Sequence, residues 1–321
     1  MSFEFELFNN LRTQILTARN ASVPQSTGLT LPNENIGKVR NRGWEFNLNW
    51  RDKLGDLTYN IGINGGYAKN RIEFWDEAPG APEWQRSTGS PMGTFLMYEF
   101  DGVFKDQAEI DATTVRGAFP DDKNDKNRKD YSAIISNLRP GDMKYKDING
   151  DGKINPDDRI RPDYNNIPLF QGGLVLGAQY KNFDLSILFQ GAAGAKQYVS
   201  AGEMGDIGNF FADIYENRWS IANPSSEHPR IAERGNQYYS YNNTYWFRSR
   251  DYIRLKNLEI GYSIPSSILS KFKMSNLRLY FNGLNLVTWD KLKVLDPESD
   301  NTTGQYYPQA RVINAGLTVT F

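Results

Sequence analysis

Cysteine is absent from the 321 residues, and histidine occurs once, at His228 in a loop segment. These two gaps exclude disulfide scaffolds, thiolate metal sites, cysteine nucleophiles and His-rich zinc centres. A surplus of one charge is missing too, since 37 Lys and Arg stand against 38 Asp and Glu. Nucleic acid is therefore not an expected partner. The chain has no G-x-S-x-G elbow and no phosphate-cradling glycine loop, and no hydrolytic carboxylate pair can be singled out. It is not read as an enzyme. No secretory leader is expected at Met1, because Met1 to Phe8 already alternates like a strand. No apolar run reaches the roughly 18 residues of a membrane-spanning helix. A transmembrane β-strand needs only about 9–11 residues with alternate ones apolar, so a barrel stays open. Aromatics, by contrast, are plentiful: 18 Tyr, 18 Phe and 7 Trp, which argues against disorder.

The dominant pattern is a period of two. Leu57, Tyr59, Ile61, Ile63 and Tyr67 alternate with Thr58, Asn60, Gly62, Asn64 and Gly66. At the other end, Ile313, Ala315, Leu317, Val319 and Phe321 alternate with Asn314, Gly316, Thr318 and Thr320. A strand separates such sets onto two faces, whereas a helix scatters them. The pattern predicts strands near 2–17, 36–51, 56–75, 94–105, 170–181, 183–193, 251–264, 275–289 and 311–321. The apolar phase slips between Leu255 and Leu258, which predicts a bulge. Short helices are expected near Phe210 to Trp219 and from Ser266 to Phe272.

Periodicity alone fits either a soluble β-sandwich or a membrane barrel. Connection lengths favour the barrel. Short turns (51–55, 181–182, 265–274) alternate with long loops (18–35, 76–93, 105–169, 194–250, 290–310). Short periplasmic turns and long extracellular loops are the layout of outer-membrane barrels. Aromatics also gather near strand ends: Trp44, Trp50, Trp75, Tyr180, Phe183, Tyr252, Trp289 and Phe321. The fold class expected is all-β: antiparallel up-and-down strands, about nine, forming part of a large transmembrane barrel.

Two loop features could carry function. Residues 147–158 fit a D-x-N-x-D-G calcium loop. Oxygen ligands would come from Asp147, Asn149, Asp151, the Lys153 carbonyl, Asn155 and Asp158, and Ile154 would anchor the loop to the sheet. Asp158 replaces the usual Glu and flanking helices are lacking, so this is a calcium-loop fragment rather than a sensor. An Asx-capped turn that binds nothing is the alternative. Tyr238, Tyr239, Tyr241, Tyr245 and Trp246 supply aromatic faces for a substrate or partner, or else brace the loop. A soluble, calcium-braced β-domain that binds glycans through these aromatics is the second functional reading.

Several segments resemble a known family. Asn35 to Phe46 (NIGKVRNRGWEF) resembles a strand of SusC/RagA-type TonB-dependent outer-membrane transporters. So do Gly141 to Gly152 with Asp157-Asp158, Ser249 to Leu258 (SRDYIRLKNL), and Asn282 to Leu286. The ending, through Asp296-Pro297-Glu298, Tyr307-Pro308 and Phe321, is similar as well, with Phe321 as the barrel C-terminal signal. The resemblance implies a plugged barrel in the cell outer membrane of Bacteroidota-type bacteria, bathed in outer-membrane lipid. It implies import of oligosaccharides or peptides beneath a SusD-like lipoprotein lid, with energy from the TonB complex. Only the family's C-terminal barrel segment, 1–321, is matched, and the plug and first strands have no counterpart. Transport is expected only from a longer or split protein.

Overall fold

The computed structural model describes residues 1–19, 31–114, 129–135, 137–199, 212–224, 227–231, 242–270, 273–299 and 307–321. Its strands are β1 (Ser2–Thr17), β2 (Glu34–Leu54), β3 (Leu57–Phe74), β4 (Phe100–Val103), β5 (Met143–Tyr145), β6 (Phe170–Tyr180), β7 (Phe183–Ala193), β8 (Lys196–Tyr198), β9 (Phe247–Ser249), β10 (Tyr252–Ser263), β11 (Asn276–Asp290) and β12 (Val312–Thr320). Eight of these form one antiparallel meander in the order β1-β2-β3-β6-β7-β10-β11-β12. The sheet is a single open layer with β1 and β12 at its edges.

Register across the sheet sorts side chains by chemistry. One row runs Tyr59, Ala178, Leu185, Ile260, Phe281 and Ala315. One step along, forward on β3, β7 and β11 and backward on β6, β10 and β12, the adjoining row is Asn60, Gly177, Ser186, Glu259, Asn282 and Asn314, on the opposite face. The apolar face is bare: Phe3, Leu7, Phe281, Ile313 and Leu317 are 54–73% exposed. A sandwich would bury that face against a second sheet. Among the described residues nothing covers it, which is the arrangement of a wall facing lipid. The polar face carries its own hydrogen bonds, from Arg278 Nε to Asp184 at 3.0 Å and from Asn314 Nδ2 to Asn282 at 3.0 Å.

Wall height agrees with this reading. β6 has 11 residues. At about 3.3 Å per residue and a tilt near 40° it rises roughly 25 Å, the height of the apolar band of an outer-membrane barrel. Aromatics mark both rims. Trp44 lies 6.2 Å from both Tyr67 and Phe170 at the outer rim. Phe183 lies 4.6 Å from Tyr262 at the inner rim, the end of the sheet where Tyr180 and Phe321 are also exposed. Tyr252 corrects the expected belt: it is buried on the polar face, in register with Ala192, so it does not meet lipid. The bulge is present, with the register of β10 shifting between Leu255 and Asn257 against both neighbours. Lys181 and Gly55 give the short turns their left-handed step, at φ 53° and 60°.

The segment expected as a strand at 94–105 is not a stave. It contributes only β4, which pairs with β5 in a small separate sheet. Met97, Tyr98, Val103 and Phe104 are all buried, so adjacent residues are hidden on both sides and the period of two is accidental. They belong to a compact loop domain, whose core includes Tyr98, Phe104, Ile110, Tyr131, Met143, Tyr145, Ile154 and Trp246. The loop domain also holds helix α1 (Gln107–Thr113), which periodicity did not predict. Helices α2 (Ala212–Asn217) and α3 (Ser266–Leu269) fall where short helices were expected. Asp106 caps α1 by accepting from the Glu109 N–H at 2.7 Å. Asp106→Ala is expected to cost about 1 kcal/mol, read as faster amide exchange in residues 107–113 with the sheet unchanged.

Candidate functional site

The long connections all leave one end of the sheet, and the loop domain is built from two of them, 75–169 and 194–251. Its sequence-predicted calcium loop is a closed hydrogen-bonded turn. Asp147 accepts from the Gly150 and Gly152 N–H groups at 2.8 and 3.0 Å. Lys129 Nζ lies 2.6 Å from the same carboxylate, whose side chain is 2% exposed. Burial raises the Asp147 carboxyl, but Lys129 and these N–H groups outweigh it and hold it low. Asn149 and Asp151 each accept from the N–H two residues on. Asn155 caps a short 3-10 turn, and Asp158 accepts from the Ile148 and Asn155 N–H groups, both at 2.9 Å. Burial pushes Asp158 up despite those donors.

The donor set therefore has the all-oxygen chemistry a hard cation wants. In this arrangement its oxygens are engaged by backbone N–H groups and by the Lys129 ammonium. Among the described residues no three carboxylates or imidazoles converge on a common point. Ile154 is fully buried, but in the loop-domain core rather than against the sheet. Lys153 joins it through a bridge to Asp130.

Of the loop aromatics, Tyr238, Tyr239 and Tyr241 lie outside the described residues. Trp246 is 4% exposed and sits in the core, so it braces the domain and offers no face to a ligand. Tyr245 packs 5.0 Å from Phe100 and 4.9 Å from Trp246, and its hydroxyl lies 3.0 Å from His228 Nδ1. Nearby, Asp142 meets Arg230 at 2.7 Å. Its burial pushes that carboxyl up more than Arg230 and the Arg139 N–H pull it down. Gly141, at φ 86°, is required because a Cβ would strike the Trp219 ring at 2.6 Å.

The structure joins segments that lie far apart in sequence. Arg254 points to the polar face and is 3% exposed. It donates to Thr288 Oγ1 at 2.8 Å and Asp296 at 2.9 Å, and lies 3.1 Å from Glu298. Lys256 reaches Glu298 at 2.6 Å. Arg250 donates to the carbonyls of Pro297, Ser299 and Asn166 at 3.0–3.2 Å. This clasp folds residues 291–299 back over the inner side of the barrel mouth. Both partners, SRDYIRLKNL and DPE, stand out in the sequence, but nothing in it pairs them.

A single-layer lipid-facing wall, polar on the inside and capped at one end by a pinned loop domain, narrows the family. The family model described as TonB dependent receptor-like, beta-barrel, matches residues 1–286. The chain belongs to that family. TonB-dependent receptor P3 of Formosa agariphila is 30% identical over 93% of this chain, and TonB-dependent receptor P26 is 28% identical over 94%. This chain spans 30–31% of the length of those relatives. A solved structure of the RagAB peptide transporter superposes with a TM-score of 0.68 at 20% identity, covering 99% of this chain and 33% of that one. The RagAB peptide importer in its open-open state gives 0.65. As a barrel segment of this family, the chain is an outer-membrane protein with its long loops outside. The relatives are receptors, not enzymes.

Proposed function

We propose that this chain forms the C-terminal part of the barrel wall of a TonB-dependent importer. The observation that carries the reading is the two-faced single sheet, bare and apolar outside, with a folded loop domain at its outer end. Substrate, an oligosaccharide or a peptide, would approach the polar face between the loops, beneath a SusD-like surface lipoprotein. Energy would come from the TonB complex through parts of the protein beyond this segment. The test is uptake of labelled oligosaccharides and peptides by cells carrying the intact protein, with and without a working TonB complex. TonB-dependent uptake of either class supports the reading. Uptake of neither, with the protein correctly inserted, overturns it.

For residues 147–158 we propose calcium as a brace of the loop domain. The cation would take the place of the Lys129 ammonium at Asp147. Chelation is then expected to raise amide exchange in residues 141–163 while the strands stay protected. Unchanged exchange at those residues would leave the turn to its backbone hydrogen bonds alone.

A further inference from the structure

Five cations gather on the outer surface of β2 and β3, just above the aromatic rim. The register sets Arg42 opposite Lys69 and Arg40 opposite Arg71, next to the Trp44–Tyr67 pair. All share the face of Trp44 and Tyr67, which points away from the lumen. Lys38 lies one step further along the same face. Like charges directly opposite each other on one face are unfavourable, so two such pairs in succession need an answering anion. The protein supplies part of it. Glu73 pairs with Arg40, and Asp163 pairs with Arg71 and Lys69. Among the described residues, these five cations meet two carboxylates, Glu73 and Asp163. Arg42 and Lys38 are exposed and share the field of Glu73, but among the described residues neither makes a close ion pair of its own.

Height identifies the missing anion. Arg42 is two residues beyond Trp44, about 7 Å along the strand, and Arg40 about 14 Å. With the strand tilted, both stand roughly 5–10 Å above the aromatic rim, where lipid headgroups begin. A substrate passing through the lumen never meets this face. An open groove of about 800 Å³ runs along it, with Leu7, Trp44 and Tyr67 below and Arg40, Arg42, Lys69 and Arg71 above, beside the carboxylate of Glu73. Acyl chains fit the lower part and phosphates the upper part. We propose that this surface binds the phosphate groups of an outer-leaflet glycolipid, holding one lipid against the barrel wall. The proposal rests on the barrel's orientation, with the long loops outside, and not on what is transported.

The test uses the intact outer-membrane protein in detergent, with bis-phosphorylated lipid A, dephosphorylated lipid A and inorganic phosphate as probes. Binding is read by native mass spectrometry and by titration in mixed micelles. The phosphorylated lipid should bind wild type, and Arg42→Gln/Lys69→Gln should weaken it roughly 20-fold at low salt. The charge-conserving Arg42→Lys/Lys69→Arg variant should retain binding, and dephosphorylated lipid should bind wild type and the Gln variant alike. Heat-modifiable migration of each variant on gels confirms that the barrel is folded. Equal affinity of wild type and the Gln variant for the phosphorylated lipid overturns the proposal. So does inorganic phosphate that binds as tightly as the lipid. Whether uptake persists in the Gln variant separates this result from failure of the importer reading.

Discussion

Arg254→Met is expected to free residues 291–299 from the barrel mouth. Arg254, Asp296 and Glu298 have side-chain exposures of 3, 6 and 12%. Lys256 still holds Glu298, so removing the Arg254 cation leaves the buried charge of Asp296 without its ion-pair partner. Such a break costs about 3–5 kcal/mol. Amide exchange should rise across 291–299 and leave β6 and β7 protected. Adding Asp296→Asn to the Met variant should recover part of the loss, because the stranded charge is then gone, and a double-mutant cycle would measure the coupling. Unchanged exchange in the single variant would mean the clasp holds nothing. Acid should loosen the same loop. Burial raises the Asp296 carboxyl, but the Glu298 and Gln309 N–H groups and Arg254 outweigh it, so the group sits below its ordinary value. Its stabilisation is therefore complete above the unfolded value near 3.9 and is lost as pH falls below about 4. Exchange across 291–299 should accelerate there, less so in Asp296→Asn.

That clasp also marks where the sequence stops being legible. The staves could be read because a wall between lipid and water imposes opposite chemistry on successive residues, as in Tyr59 and Asn60. The loop domain is covered on all sides, so Met97-Tyr98 and Val103-Phe104 are buried in pairs and imitate a strand. Asp106 followed by Glu109 does signal the start of α1, but the apolar residues just before it imitate a strand and mask the signal. Arg254 sits on the polar face, where a charge ordinarily means a solvated lumen. Only the return of residues 296–298, about forty positions on, turns it into a buried partner. The cations of β2 and β3 are similar. Arg40, Arg42, Lys69 and Arg71 look like ordinary rim charges until the register sets them opposite one another. The calcium motif shows the reverse case. Its spacing is local and easily seen, yet spacing does not say whether Asp147 faces a cation or the Lys129 ammonium.

Leu176→Arg is expected to disrupt the barrel, whereas Val175→Arg, one residue away, is not. Leu176 lies near the middle of β6, between Ile61 of β3 and Ile187 of β7, on the apolar face. A guanidinium there must enter hydrocarbon, at a cost of about 2–4 kcal/mol near the bilayer midplane. It is a central strand, so no edge can relax to hide the charge. Val175 points the other way, beside Gly62 and Leu188, and is 37% exposed. An arginine there has room over Gly62 and reaches water in the lumen, so its cost should stay within about 1 kcal/mol. Both variants would be made in the intact protein and unfolded by urea in lipid vesicles, with heat-modifiable migration reporting the folded fraction. A lower midpoint for Leu176→Arg alone is the expected result. Equal midpoints, or greater harm from Val175→Arg, would mean that the apolar face does not meet lipid. The exposed side chains of Phe281, Ile313 and Leu317 would then need a protein covering instead.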